Sequence, residues 1–221
     1  MKINKSTIEV LKNFAGINNG MVIHAGNRLR TQDNLNKQIA YADIEDSFPA
    51  EFAVYDLGEF LSALALLENA ELDFKESYVL VTGDGGTKLT FQYANAEFVT
   101  EAPDKVNFPT DLAGGADFDL KGEDLQRVKK ASATLGLSDI CVRTEVGSAD
   151  IILSATDAQG TSKHTFEIVV GTAAEDDEHK FFFKSERLNI VDQDYKVQIH
   201  PAGISRFTGL SIEYFIATEC L

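Results

Sequence analysis

Residues 120–136 read L-K-G-E-D-L-Q-R-V-K-K-A-S-A-T-L-G, and their spacing predicts a helix. Glu123 and Asp124 stand in its first turn, where the helix dipole favours negative charge. Gly136 follows the last periodic residue, where a left-handed C-terminal stop is expected. Leu125, Val128, Ser132 and Leu135 recur at spacings of three and four and so share one face. Arg127 and Lys130 fall on another face, with Lys121 and Lys129 beside it. One side can therefore pack on a sheet while the other presents cations. A plain solvated surface helix would show the same pattern. What sets this one apart is a counterpart near the N-terminus and its basic charge in an acidic chain.

That acidity is pronounced. The 221 residues carry a formal net charge of −15, with a hydrophobic fraction of 44% that can build one large domain or two modest ones. A phosphate backbone repels such a molecule on average, which argues against indiscriminate nucleic-acid binding. The charge is unevenly spread, however. Residues 1–32 hold five Lys/Arg against one Glu, and residues 121–143 hold five against three acids. Residues 33–120 hold four against eighteen. Positive charge is thus concentrated at two places. Cys141 and Cys220 are isolated and give no disulfide framework, which fits a reducing compartment. The N-terminal M-K-I-N-K-S-T-I-E-V lacks a signal-peptide apolar stretch, and no run is long enough to span a membrane.

The counterpart of the basic helix is Ser6–Ala15, with Ser6 and Glu9 at capping-box spacing. Ile8, Leu11, Phe14 and Ala15 make its apolar face, and Lys5 and Lys12 stand on the other side. Strand-like runs follow at Gly20–His24, Gln38–Ile44 and Glu51–Tyr55. Asp56–Leu67 predicts a second helix, capped by Asp56 with Glu59 and almost free of charge thereafter. Strands are expected at Glu71–Phe74, Tyr78–Val81 and Lys88–Tyr93, the last two joined by the G-D-G-G hairpin signal. Asn95–Ala116, with Pro103, Pro109, Gly114 and Gly115, reads as an extended linker. The domains are therefore expected at residues 1–94 and 117–221.

The second half begins again with a strand, Phe118–Lys121, and the basic helix. Strands are expected at Ile140–Val146, Asp150–Thr156 and Lys163–Val170. Phe181–Phe183 runs into a short helix at Lys184–Ile190, and Tyr195–His200, Ser205–Leu210 and Ile212–Thr218 finish the chain. The order is strand, helix, three strands, short helix, three strands, written twice. At an offset of 117, Ile8 lies over Leu125, Leu11 over Val128 and Lys12 over Lys129.

Catalytic chemistry is sparse. His24, His164, His179 and His200 stand in no metal-ligand spacing with one another or with a cysteine. The G-D-G-G-T at 83–87 lacks the lysine and following helix of a phosphate cradle. Glu175, Asp176, Asp177 and Glu178 read as a solvated loop, since a cation site needs spaced ligands. No metal, no cofactor and no enzymatic activity are expected.

Three stretches carry a resemblance: M-K-I-N-K-S-T-I-E-V-L-K-N-F-A-G-I-N-N-G at the start, A-V-Y-D-L-G-E-F-L-S-A-L at 53–64, and D-L-K-G-E-D-L-Q-R-V at 119–128. The chain resembles the sliding clamps of T-even-type tailed bacteriophages along nearly its full length. The resemblance implies an α+β fold with two similar clamp domains, helices lining a ring and antiparallel sheets outside it. It further implies a non-catalytic homotrimer, a processivity factor that encircles duplex DNA without reading its sequence. Its partners would be the replicative DNA polymerase, an ATP-driven clamp loader and late-transcription factors, in the cytoplasm of the infected bacterial host. On this reading Lys5, Lys12, Lys121, Arg127, Lys129, Lys130, Lys184 and Arg187 face DNA. Phe98, Val106, Phe108, Leu112 and Ile216 serve a partner peptide. Lys88, Leu89, Phe91 and Tyr93 meet His164, Phe166 and Ile168 of the next subunit. Against it stand two other classes: a small α+β enzyme without a recognisable motif, and an oligomeric scaffold with no DNA role.

Overall fold

A computed structural model describes residues 1–145, 147–173 and 178–219. The chain divides into two compact units, Met1–Asp104 and Lys105–Leu221. Val146, Glu175, Asp176, Asp177 and Cys220, named above, lie outside the described residues.

In the first unit α1 (Lys5–Ala15) precedes β1 (Met21–Ile23), β2 (Gly26–Gln32), β3 (Gln38–Phe48) and β4 (Phe52–Val54). Then come α2 (Leu57–Ala65), β5 (Glu71–Phe74), β6 (Tyr78–Thr82) and β7 (Lys88–Gln92). All pairings are antiparallel: β1 with β4, β2 with β3, and β5, β6 and β7 as a meander. The Leu72 N–H donates to the Met1 carbonyl at 2.7 Å, so the first residues run beside β5. Leu11 and Phe14 of α1 and Phe60 of α2 are fully buried. The Phe52 ring lies 5.2 Å from Phe74 and 6.1 Å from Phe60, between helix and sheet. Such aromatic contacts add to the area they bury.

The second unit holds β8 (Ala116–Leu120), α3 (Gly122–Leu135), β9 (Asp139–Glu145), β10 (Ser148–Thr156), β11 (Phe166–Thr172) and β12 (Lys180–Lys184). A single 3-10 turn at Ser185–Leu188 leads to β13 (Tyr195–His200), β14 (Ile204–Thr208) and β15 (Ile212–Ala217). One sheet runs β11, β10, β9, β12; β8, β13, β14 and β15 are joined in that order. Helix α3 packs on β9, β10 and β11. The pairing of β9 with β12 repeats that of β1 with β4, and β10 with β11 repeats β2 with β3. Helices α1 and α3 start 117 residues apart, at Lys5 and Gly122. The twofold repeat is real.

Four details differ from the sequence reading. Each unit has four strands between its helices, and β2 is the one overlooked. Its G-N-R-L-R-T-Q buries only Leu29 and Thr31, too little apolar signal for a strand. Helix α1 is entered through Asn4, without a side-chain cap, and Ser6 already sits inside the first turn. The expected short helix after Lys184 is one 3-10 turn. Residues 95–104 fall within the first unit: Val99 packs on Val22 and Ala53, and the Tyr41 hydroxyl donates to the Pro103 carbonyl at 2.8 Å. Asp56 does cap α2, accepting from the Glu59 N–H at 2.9 Å.

Candidate nucleic-acid interface

Helix α1 buries Thr7, Leu11 and Phe14 and leaves Lys5 and Lys12 exposed. Among the described residues neither lysine has an ion-pair partner. Helix α3 buries Leu125, Val128 and Ser132 against its sheet. Leu135, expected on that face, is the last residue of the helix and is 39% exposed. The end is closed by Gly136 at φ 65° and by the Ser132 hydroxyl, which donates to the Leu137 carbonyl at 2.6 Å.

The cations of α3 are not equivalent. Lys130 is exposed and without an ion pair among the described residues. Arg127 reaches back 3.2 Å to Asp124, one turn earlier. Lys129 is half-buried, and burial lowers its pKa, with Asp192 opposing. Lys121 Nζ lies 2.7 Å from Asp194 Oδ2, while the Gly122 N–H donates to Asp194 Oδ1 at 2.9 Å. Lys184 pairs with Asp139 at 2.7 Å, and Arg187 pairs with Glu219. The outer side of α2, with Gly58, Glu59, Ser62 and Ala65, carries no cation. Asp192 and Asp194 were invisible as site residues in the sequence. They sit in an unremarkable V-D-Q-D, and Asp194 meets Lys121 from 73 positions away.

Two strand edges stand out. Strand β7 is bonded to β6 alone and β11 to β10 alone among the described residues. On β7, Leu89 and Phe91 are half-buried and Lys88 is exposed; Tyr93, half-buried, follows the strand. On β11, Phe166 and Ile168 are half-buried while Val169 is 59% exposed. His164 is exposed and precedes the strand, which starts at Phe166 where the sequence suggested Lys163. Unpaired backbone N–H and C=O groups of this kind seek a further strand.

The apolar residues assigned to a partner peptide are scattered. Phe98 belongs to the first unit and is 74% exposed. Val106, Phe108 and Leu112 belong to the second and are half-buried. The Phe108 ring lies 6.1 Å from that of Phe215. Leu112 lines a cavity of about 350 Å³ with Ala116, Ile151, Asp111 and His179. Ile216 is 0% exposed, a core residue of β15 with no surface to offer. Among the described residues no cluster of metal-binding side chains occurs, and no helix is long and apolar enough to cross a membrane.

Comparison with known proteins places these features. Residues 2–94 match the family described as DNA polymerase processivity factor, and residues 117–220 match the gp45 sliding clamp, C terminal. The chain is 87% identical to the sliding clamp of Vibrio phage KVP40 over 100% of both chains. It is 25% identical to that of Escherichia phage RB69, covering 99% of this chain and 97% of the other. Among solved structures, A. fulgidus PCNA bound to the C-terminal region of FEN-1 aligns with a TM-score of 0.71 at 13% identity, covering 97% and 95% of the two chains. The Helicobacter pylori beta clamp bound to a DNA ligase peptide gives 0.69 at 12%, covering 100% of this chain and 65% of that one. These distant likenesses establish the shared fold alone. A repeated unit whose helix carries exposed lysines, matched end to end by phage relatives, leaves one assignment: the chain belongs to the sliding-clamp family of DNA polymerase processivity factors.

Proposed function

We propose that this protein forms a ring that encircles duplex DNA and tethers the replicative polymerase, with no catalysis of its own. The observation that carries this reading is the placement of free cations. In a molecule of net charge −15, Lys5, Lys12 and Lys130 stand exposed on the first helix of each half, without an ion pair among the described residues. Phosphate contacts without base readout let a ring slide. Lys121, Arg127 and Lys129 complete the DNA-facing set at reduced strength. Lys184 and Arg187 serve intramolecular pairs first.

The ring is a homotrimer closed head to tail, β7 of one subunit pairing with β11 of the next. Leu89, Phe91 and Tyr93 then meet Phe166 and Ile168, with Lys88 and His164 at the margins. A clamp loader opens and places the ring on DNA. The polymerase and late-transcription factors dock through short peptides bearing apolar anchors, received by Val106, Phe108 and Leu112 of the second unit. The work is done in the cytoplasm of the infected bacterium.

The test is topological. Each phosphate contact weakens as salt rises, because counterion release then yields less. A closed ring escapes that limit, since leaving requires opening an interface. Labelled protein loaded on a nicked circle should survive gel filtration in high salt and be lost when the circle is cut. Equal retention on both forms would mean adhesion, and the reading would fail.

A further inference from the structure

The loop between the 3-10 turn and β13 places two carboxylates on the first turns of α3. Asp194 takes the Gly122 N–H at 2.9 Å and the Lys121 ammonium at 2.7 Å. These are the two kinds of donor, a helix N-terminal amide and a lysine, that a phosphate oxygen would use. Asp192 acts on Lys129 from the same loop. Asp119 and Glu123 add to the negative field on Lys121.

The loop is held from behind. The Tyr195 hydroxyl donates to the Val191 carbonyl at 2.6 Å, and the Val191 N–H donates to the Tyr214 hydroxyl at 3.1 Å. The Leu210 N–H donates to Gln193 Oε1 at 3.3 Å. Its approach needs a glycine: a Cβ at Gly122 would lie 2.9 Å from the Gln193 carbonyl oxygen. Helix α1 has no such attendant at its lysines. Asp46 accepts from the Asn4 N–H at 2.8 Å, yet Lys5 and Lys12 have no ion-pair partner among the described residues.

We infer that residues 192–194 act as a built-in counterion for the start of α3, offsetting Lys121 so that DNA contact falls mainly on Lys5, Lys12 and Lys130. This rests on the proposed DNA-encircling function. Asp194 is thus a positioning residue that sets the strength of DNA contact. Its ordinary pKa is lowered by Lys121 and the Gly122 N–H, consistent with a carboxylate charged throughout the physiological range. Weak grip is what a sliding ring requires, since every strong phosphate contact must break at each step.

Asparagine at 194 keeps an oxygen for the Gly122 N–H and removes the charge, separating capping from masking. The experiment is one-dimensional diffusion of loaded protein on long duplex DNA over a salt series. Asp194→Asn should slow diffusion several-fold at low salt and steepen the salt dependence by about one phosphate contact for each subunit engaged. Adding Lys121→Ala to that variant should restore wild-type movement. Wild-type behaviour of Asp194→Asn, or a double variant that stays slow, would overturn the inference. Lys12→Ala is the control for the underlying reading: it should speed diffusion, and its failure to do so would remove DNA from the helix faces altogether.

Discussion

Lys184 Nζ stands 2.7 Å from Asp139 Oδ1, and the Asp139 side chain is 1% exposed. The same carboxylate accepts from the Ser138 hydroxyl at 2.6 Å and the Ala158 N–H at 3.1 Å. A cation that sequence alone assigns to DNA is therefore committed to joining β9, β12 and the loop after β10. Burial alone would raise the Asp139 pKa; Lys184, Ser138 and Ala158 outweigh it and hold the carboxyl below its ordinary 3.8. A depressed folded-state pKa contributes stability above the unfolded value, and that contribution is lost as pH falls through the folded one.

Lys184→Met should accordingly destabilise the protein at neutral pH by on the order of 3 kcal/mol, since an unpaired buried charge remains. The gap from wild type should narrow as pH falls from 3.8 through the lower folded-state pKa of Asp139, below which the carboxyl is protonated in both folded and unfolded chains. Urea titrations at neutral and acid pH measure it. A pH-independent gap would mean that the lost contact is packing.

The two open strand edges predict a separable assembly defect. Val169, 59% exposed on β11, and Thr90, exposed on β7, touch no core that their own unit requires. Val169→Glu and Thr90→Pro should each give folded monomers by sedimentation, because one adds a desolvated charge and the other blocks a strand partner. Intact trimers from both would refute the β7–β11 contact.

Reversal of single cations should follow their pairing state. Lys12→Glu and Lys130→Glu should shorten residence on linear DNA and reduce the salt slope by about one contact per subunit. Lys121→Glu should do less, its charge being already offset by Asp194. Sedimentation should show assembly unchanged in all three. Equal effects at the three positions would erase the distinction between free and masked lysines.

For partner docking, Phe108→Ala should weaken polymerase binding while leaving the ring intact. Its ring is half-buried beside Phe215, so the fold loses little. Surface-immobilised polymerase peptide gives the affinity. Unchanged binding would exclude Phe108 from the docking surface.

The helices and their faces were legible because each obeys a local rule. Asp56 and Glu59 cap α2 as their spacing says, and Leu125, Val128 and Ser132 are buried as their periodicity says. The repeat was legible because both halves keep helix starts 117 residues apart. Strand β2 was not, since it is stabilised by pairing with β3 more than by its own apolar residues. The masking of Lys121 and the commitment of Lys184 were not either. Both depend on contacts 73 and 45 positions distant, which no local pattern encodes. Charge type is written in the sequence, but its availability is decided by the fold.

Gly122 gives that last point an evolutionary edge. A single methyl there would push at the Gln193 backbone and dislodge both aspartates from the helix start. The hold on a polyanion would then tighten with no charged residue gained or lost. Travel speed along a template can be inherited through a site that an electrostatic map of the surface would pass over as blank.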